Sequence, residues 1–224
     1  MPGNVGGLVS NRTEGASDVD YGRGQVRPHV VAVVGLAGAG KSTVARILER
    51  NYGYKSVYFG GHVVNEVRAR GLPPGPESER LVREELREQH GMAAMAILSR
   101  QEIAEHIAAG SSVVIDGLYS LSELELLMDQ LPVIVVAVHA PVRLRQRRIQ
   151  ERRNRSLSPS ELRARDLSEV RRLDKGGPIA LADFHVLNAG SDSDLAKSVK
   201  TIVDEIMNES APSDSSIVGG GIAI

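Results

Sequence analysis

Alternation of short aliphatic runs with helical stretches predicts a three-layer α/β fold built on a five-stranded parallel sheet. Three observations carry the prediction. The runs at residues 29–34, 112–116 and 133–139 are nearly all aliphatic, as strands covered on both faces require. Helical patterns separate successive strands, which is the spacing of crossover connections. A glycine-rich turn, GLAGAGKS at residues 35–42, joins the first strand to the first helix.

In chain order, residues 1–27 are rich in Gly, Asn, Ser and Asp, a composition too poor in apolar groups to offset the entropy of ordering, and a disordered tail is expected there. After the strand at 29–34, a helix over 42–51 places Val44, Ile47 and Leu48 on one face. A short strand at 56–59 leads through Gly60 and Gly61 into a helix carrying Val63, Val64 and Val67. GLPPGP at 71–76 breaks the chain, and helices follow over 77–89 and 92–109. Two helices between strands exceed what a plain crossover needs, so residues 71–110 read as an insertion that forms one wall of an acceptor pocket. The strand at 112–116 ends on Asp116 before Gly117; a helix over 121–131 stops at Pro132, and the strand at 133–139 follows. Ser158-Pro159-Ser160-Glu161 has the pattern of an N-cap, a first-turn proline and a capping-box acid, starting a helix that ends near Leu173. Residues 175–178 read as a loop, 184–187 as the fifth strand, and Asp192 or Ser193 as the cap of a last helix ending near Asn208. One domain over 28–209 with a lid region at 147–173 is expected, followed by a second disordered tail over 210–224.

Composition narrows the function classes. With 42% hydrophobic side chains in 224 residues, the chain supports one core. A net charge of −1 gives no global drive toward nucleic acid or membrane. Cysteine is absent, which excludes disulfides, thiolate metal sites and cysteine nucleophiles. Without an N-terminal apolar core or a run long enough to span a bilayer, a soluble cytoplasmic protein is expected.

The chemistry gathers at the strands' carboxyl ends, where doubly wound sheets bind ligands. Glycines 35, 38 and 40 remove side chains where backbone curls around an anion, and the amides of Ala37, Ala39 and Thr43 belong to the same cradle, at the positive end of the helix dipole. In such a loop Lys41 reaches the outer phosphates of ATP, and Ser42 offers its hydroxyl to Mg²⁺. Asp116 suits a carboxylate that holds the metal through water; its other reading is a cap for the turn at Gly117. Arg143, Arg145, Arg147, Arg148, Arg152, Arg153 and Arg155 crowd one segment. That cluster is open to three readings: a solvated face, a nucleic-acid contact, or a lid over ATP. An aromatic content of 3% weakens the nucleic-acid reading, because single-strand binding uses stacking platforms. Arg145 and Arg143 are assigned to the solvated face, while Arg148 and Arg152, one helical turn apart, and Arg153 and Arg155, at the mouth of the following turn, are assigned to the lid. The six histidines have no metal-ligand spacing; His62 and His139 fall at strand ends, as pocket walls.

With these residues in hand, the chain resembles the small P-loop nucleotide kinases, most closely a group related to AMP and CMP kinases and to dephospho-CoA kinase. The likeness spans residues 29–208 and rests on GLAGAGKSTVA at 35–45, FGGHVVNEVRARGL at 59–72, VVIDGLYSLSELE at 113–125, AVHAPVRLR at 137–145, RARD at 163–166 and IALADFHVLNAGS at 179–191. It implies a P-loop NTPase fold, ATP and Mg²⁺ as ligands, lid arginines that close on ATP, Asn188 and Gly190 near the adenine, and an acceptor held by Gly61, His62, Asn65, Arg68, Gly117 and Tyr119. The chain departs from the family at Asn65 and Tyr119, where related kinases keep arginines that grip the acceptor's phosphate; Arg68, one turn from Asn65, is the candidate substitute. The expected activity is phosphoryl transfer to a nucleotide or nucleotide-like small molecule, with a phosphate-free hydroxyl acceptor and a non-enzymatic nucleotide switch as the alternatives.

Overall fold

The computed structural model describes residues 27–152 and 156–209. Apart from Arg27, the two expected tails, and the arginines at 153 and 155, lie outside those residues. Strand β1 (Val30–Val34) is enclosed on both faces, and its side chains alternate between two cores. Helix α1 (Lys41–Tyr52), strand β2 (Lys55–Tyr58), helices α2 (Gly60–Ala69), α3 (Pro76–His90) and α4 (Ala94–Ala108), and strand β3 (Val113–Asp116) follow. Then come α5 (Leu121–Met128), β4 (Val133–His139), α6 (Val142–Gln150), α7 (Pro159–Leu173), the single-turn α8 (Gly176–Ala180), β5 (Phe184–Leu187) and α9 (Asp192–Glu209).

The sheet has the order β2-β3-β1-β4-β5 and every pairing is parallel, as the aliphatic runs require. Val30, Ala32 and Val34 face one core with Phe59, Val63, Val82, Leu86 and Leu124, so α2 to α5 cover that side. Val31 and Val33 face the other with Val44, Leu48, Val199 and Val203 from α1 and α9. Period-two alternation in one strand thus builds both layers. Phe59 is wholly enclosed, and truncating it to Ala would cost about 3 to 5 kcal/mol. The register pairs Val33 with Asp116, which brings the end of β3 beside the loop that leaves β1.

Most element ends fall within a residue or two of the sequence expectations, and the larger departures have local reasons. Helix α5 stops at Met128, and Leu131 closes the turn by donating to the Leu127 carbonyl. Residues 176–180 form a turn of helix rather than a loop, since Pro178 occupies a first-turn position that needs no N–H and its ring is buried. The cap of α9 is Ser191, whose hydroxyl accepts from the Asp194 N–H while the Asp194 carboxylate accepts from the Ser191 N–H. Helix α6 ends at Gln150, so Arg152 lies past the C-cap Glu151 and shares no helical face with Arg148. Among the described residues no helix is long and apolar enough to cross a membrane.

Candidate functional site

The turn between β1 and α1 is packed so closely that side chains are excluded at three positions. A Cβ on Gly35 (φ 138°) would lie 2.3 Å from the Val138 carbonyl oxygen. On Gly38 (φ 79°) it would meet the Arg145 carbonyl at 2.9 Å, and on Gly40 (φ 111°) the Asn188 amide nitrogen at 2.2 Å. All three dihedrals are also ones that L residues rarely adopt. Side chains hold three of the loop's carbonyls, two from outside it and one from within: Asn188 Nδ2 donates to Ala39 O at 2.8 Å, Arg145 Nη1 to Ala37 O at 3.0 Å and the loop's own Lys41 Nζ to Leu36 O at 3.2 Å. Within the turn the Ala39 N–H already donates to Leu36 O at 3.2 Å and the Thr43 N–H to Gly40 O at 3.0 Å, so the amides that suit an anion are those of the other positions.

The arginine segment supports this turn from behind. Arg145 is 4% exposed and forks onto Asp166 at 3.2 and 2.7 Å, so the solvated face expected for it is wrong. Its partner lies one element further on, in α7, where a segment-by-segment reading has no view of it. Arg148 donates to the Asn188 carbonyl and side-chain oxygens, both at 3.2 Å, and so braces the residue that braces the loop. Arg152 is exposed. Asn188 is buried and spent on the loop, while Gly190 is exposed at the start of α9.

A family model described as an AAA domain matches residues 34–163. A UPF0200 protein of Aeropyrum pernix is 40% identical over 168 residues, covering 74% of this chain and 87% of its own. One from Thermococcus gammatolerans is 36% identical over 184 residues, covering 80% and 95%. The chain belongs to the UPF0200 family. Among solved structures, a shikimate kinase from Acinetobacter baumannii superposes with a TM-score of 0.51 at 21% identity, covering 80% of this chain and 94% of its own. A gluconokinase from Sinorhizobium meliloti gives 0.51 at 16% identity, covering 82% and 96%. At these identities what is shared is the fold, that of the P-loop kinases.

In this UPF0200 chain, Lys41 faces a charged cluster that the sequence did not reveal. Lys175 is 1% exposed; its ammonium donates to Glu169 Oε2 at 2.7 Å and lies 4.3 Å from the centre of the Tyr119 ring. Arg165 Nε holds the other Glu169 oxygen at 2.8 Å. Burial would raise the Glu169 carboxyl, but Lys175 and Arg165 outweigh it and hold the group at about 2. Burial, then the field of Lys175, pulls the Lys41 ammonium down to about 7, with Glu169 and Asp116 opposing. The signal for Glu169 is present in the sequence: it follows Leu162 at helical spacing, and these two are the buried residues of α7, with the exposed Arg165 between them within reach of Glu169. Lys175 had no local signal, because residues 175–178 looked like a loop.

On the insertion side, Asp116 is half-buried at the end of β3, and its charge bears on both Lys41 and Tyr119. Gly117 (φ 102°) packs under the rings of Tyr119 and Tyr58. Gly61 and His62 open α2, and His62 Nε2 shares a hydrogen bond of 2.8 Å with Ser99 Oγ; burial lowers that imidazole's pKa. Asn65 and Arg68 are exposed on α2. His139 stacks on His185, away from this cluster at the β4 and β5 ends. The structure therefore joins Lys41, Asp116 and Tyr119, and leaves Asn65, Arg68 and Arg152 in solvent.

Proposed function

We propose that this protein is an ATP- and Mg²⁺-dependent phosphotransferase whose acceptor is a nucleotide or nucleotide-like small molecule, in the manner of nucleoside monophosphate or dephospho-CoA kinases. The observation that carries this reading is the loop at 35–42, shaped by three glycines that admit no side chain and closed by Lys41. Phosphoryl transfer asks little covalent chemistry of a protein, so positioned positive charge does most of the work. On binding ATP, Lys41 would leave the Leu36 carbonyl for the outer phosphates, and the remaining loop amides, with that of Ser42, would hold the β-phosphate. Asp116 ends β3 in register with Val33 and its charge bears on Lys41, so an oxygen donor set of Ser42 and Asp116 would hold a magnesium ion, which when bound neutralises charge on the phosphate oxygens. Arg152, Arg153 and Arg155 would exclude water as the lid, which Arg148 would have to leave Asn188 to join, and Gly190, beside the Asn188 that braces the loop, would border the base. Gly61, His62, Asn65, Arg68, Gly117 and Tyr119 would line the acceptor side.

A second reading, transfer to a hydroxyl on a molecule without phosphate, draws support from Tyr119, whose ring is capped by Lys175 where related kinases keep an arginine, and from the exposure of Asn65. Two structural neighbours, a shikimate kinase and a gluconokinase, agree with it. ADP release from Mg·ATP, followed across nucleoside monophosphates, dephospho-CoA and phosphate-free polyols, tests both. Little turnover alone and strong stimulation by one acceptor is the expected result. Turnover that responds to no acceptor would contradict a kinase and favour a nucleotide switch.

A further inference from the structure

Beyond Tyr119, the acceptor side contains polar atoms that the fold encloses without pairing. The Arg87 Nε and Nη2 atoms on α3 are buried with no hydrogen-bond partner, and so is Glu123 Oε1 on α5. The other Glu123 oxygen is fully used, accepting from the Tyr119 N–H at 2.7 Å and the Ser120 N–H at 3.2 Å in the capping box of α5. Arg87 and Glu123 feel each other's charge, yet they form no ion pair. Burial weighs first against both, pulling the Arg87 guanidinium down and pushing the Glu123 carboxyl up. An arginine keeps its proton regardless, since the delocalised guanidinium is intrinsically too basic to lose it. Buried polar groups are nearly always satisfied, so these enclosed donors and this enclosed acceptor, each within reach of the other's field, call for a third molecule with complementary atoms.

The surroundings fix the sign of that molecule. Arg83 lies one helical turn before Arg87 on the same face of α3, and its charge bears on both Arg87 and Tyr119. The neighbouring acids of α3 are engaged elsewhere, Glu84 with Arg80 and Glu85 with Arg70. Tyr119 joins this place to the transfer site, for its ring is covered by Lys175, whose partner Glu169 faces Lys41.

We infer that Arg87, assisted by Arg83, is the anion clamp of the acceptor site and that Glu123 Oε1 takes a hydroxyl of the same molecule. The acceptor is then a hydroxylated small molecule with an anionic group, phosphate or carboxylate, and α3 supplies the cations that Asn65 and Tyr119 do not. This rests on the phosphotransfer reading and deepens it. A guanidinium fork matches either anion with paired bonds, and a group it does not fit leaves buried donors unmade, which is how such a site discriminates.

Two measurements test the clamp. In the first, AMP and gluconate serve as the phosphate and carboxylate probes, with adenosine and glucose as their uncharged counterparts, and each is titrated calorimetrically into the Mg·ADP-bound protein. One charged probe should bind at least tenfold more tightly than its counterpart, and which one binds identifies the anion. Arg87→Met should weaken it about tenfold to a hundredfold and Arg83→Met by less, with Mg·ATP affinity within about twofold of wild type in both. Equal binding of charged and uncharged probes, or no binding by either anion, would overturn the clamp; loss of Mg·ATP binding in the wild type would instead sink the transferase. The second measurement needs no ligand. Arg87→Met removes an enclosed unpaired charge, so the melting temperature should hold or rise, as at sites shaped for a ligand. A fall of several degrees would mark Arg87 as a structural residue and contradict the proposal.

Discussion

The donor loop and the acceptor wall are finished to different degrees. Around residues 35–42, the carbonyls of Leu36, Ala37 and Ala39 have side-chain donors and the bracing arginines have partners of their own. Across Tyr119, buried atoms of Arg87 and Glu123 have none. A satisfied, side-chain-excluding cradle holds one shape and suits a ligand common to many enzymes. Buried groups left unpaired cost stability and discriminate among ligands that complete them. On the proposed reading, generic chemistry and individual specificity occupy opposite banks of one charged cluster.

Removing the donor bank's cation should produce the largest effect. Lys41→Ala is expected to lower phosphoryl transfer about a thousandfold, read as ADP release, with the melting temperature unchanged because burial already disfavours that charge. Activity near wild type would erase the contrast between the two banks. Next in size is Glu169→Gln, which leaves the Lys175 ammonium buried with no counter-charge. Chemical denaturation should register a loss of about 3 to 5 kcal/mol at neutral pH. The same carboxyl sets a pH limb. Held at about 2 in the fold against an ordinary 4.5, it contributes stability above about pH 4.5 that is lost as the pH falls toward 2. The variant's stability should accordingly vary less with pH over that window, and a parallel curve would remove Glu169 as the source.

Gly40→Ala sharpens the comparison on a smaller scale. The added Cβ would meet the Asn188 amide in a left-handed conformation, for a cost of about 1 to 3 kcal/mol in melting experiments and a loss of Mg·ATP affinity. Arg68→Ala should do least. Its exposed side chain contributes within about 0.5 kcal/mol to stability, and acceptor KM should shift less than it does for Arg87→Met.

The sequence made the donor bank legible and the acceptor bank only in outline. Strands β1, β3 and β4, the glycine loop and the Ser158 capping box are local patterns, and the structure reproduces them. Arg145 could not be read locally, because its burial depends on Asp166, 21 residues away. Lys175 and Arg87 belong to the same class: nothing near them in sequence shows what encloses them. The cap of α9 is different. Ser191 and Asp194 stand at capping-box spacing, and two equally cap-like neighbours, Asp192 and Ser193, obscured it.

Hydrogen exchange at the backbone amides of residues 36–43, with and without Mg·ATP, bears most directly on the central claim that a triphosphate rests in that loop. Protection concentrated there, absent when ATP is replaced by adenosine, is the predicted result. Unchanged exchange at those amides under saturating Mg·ATP, or protection appearing only elsewhere in the chain, would contradict the account.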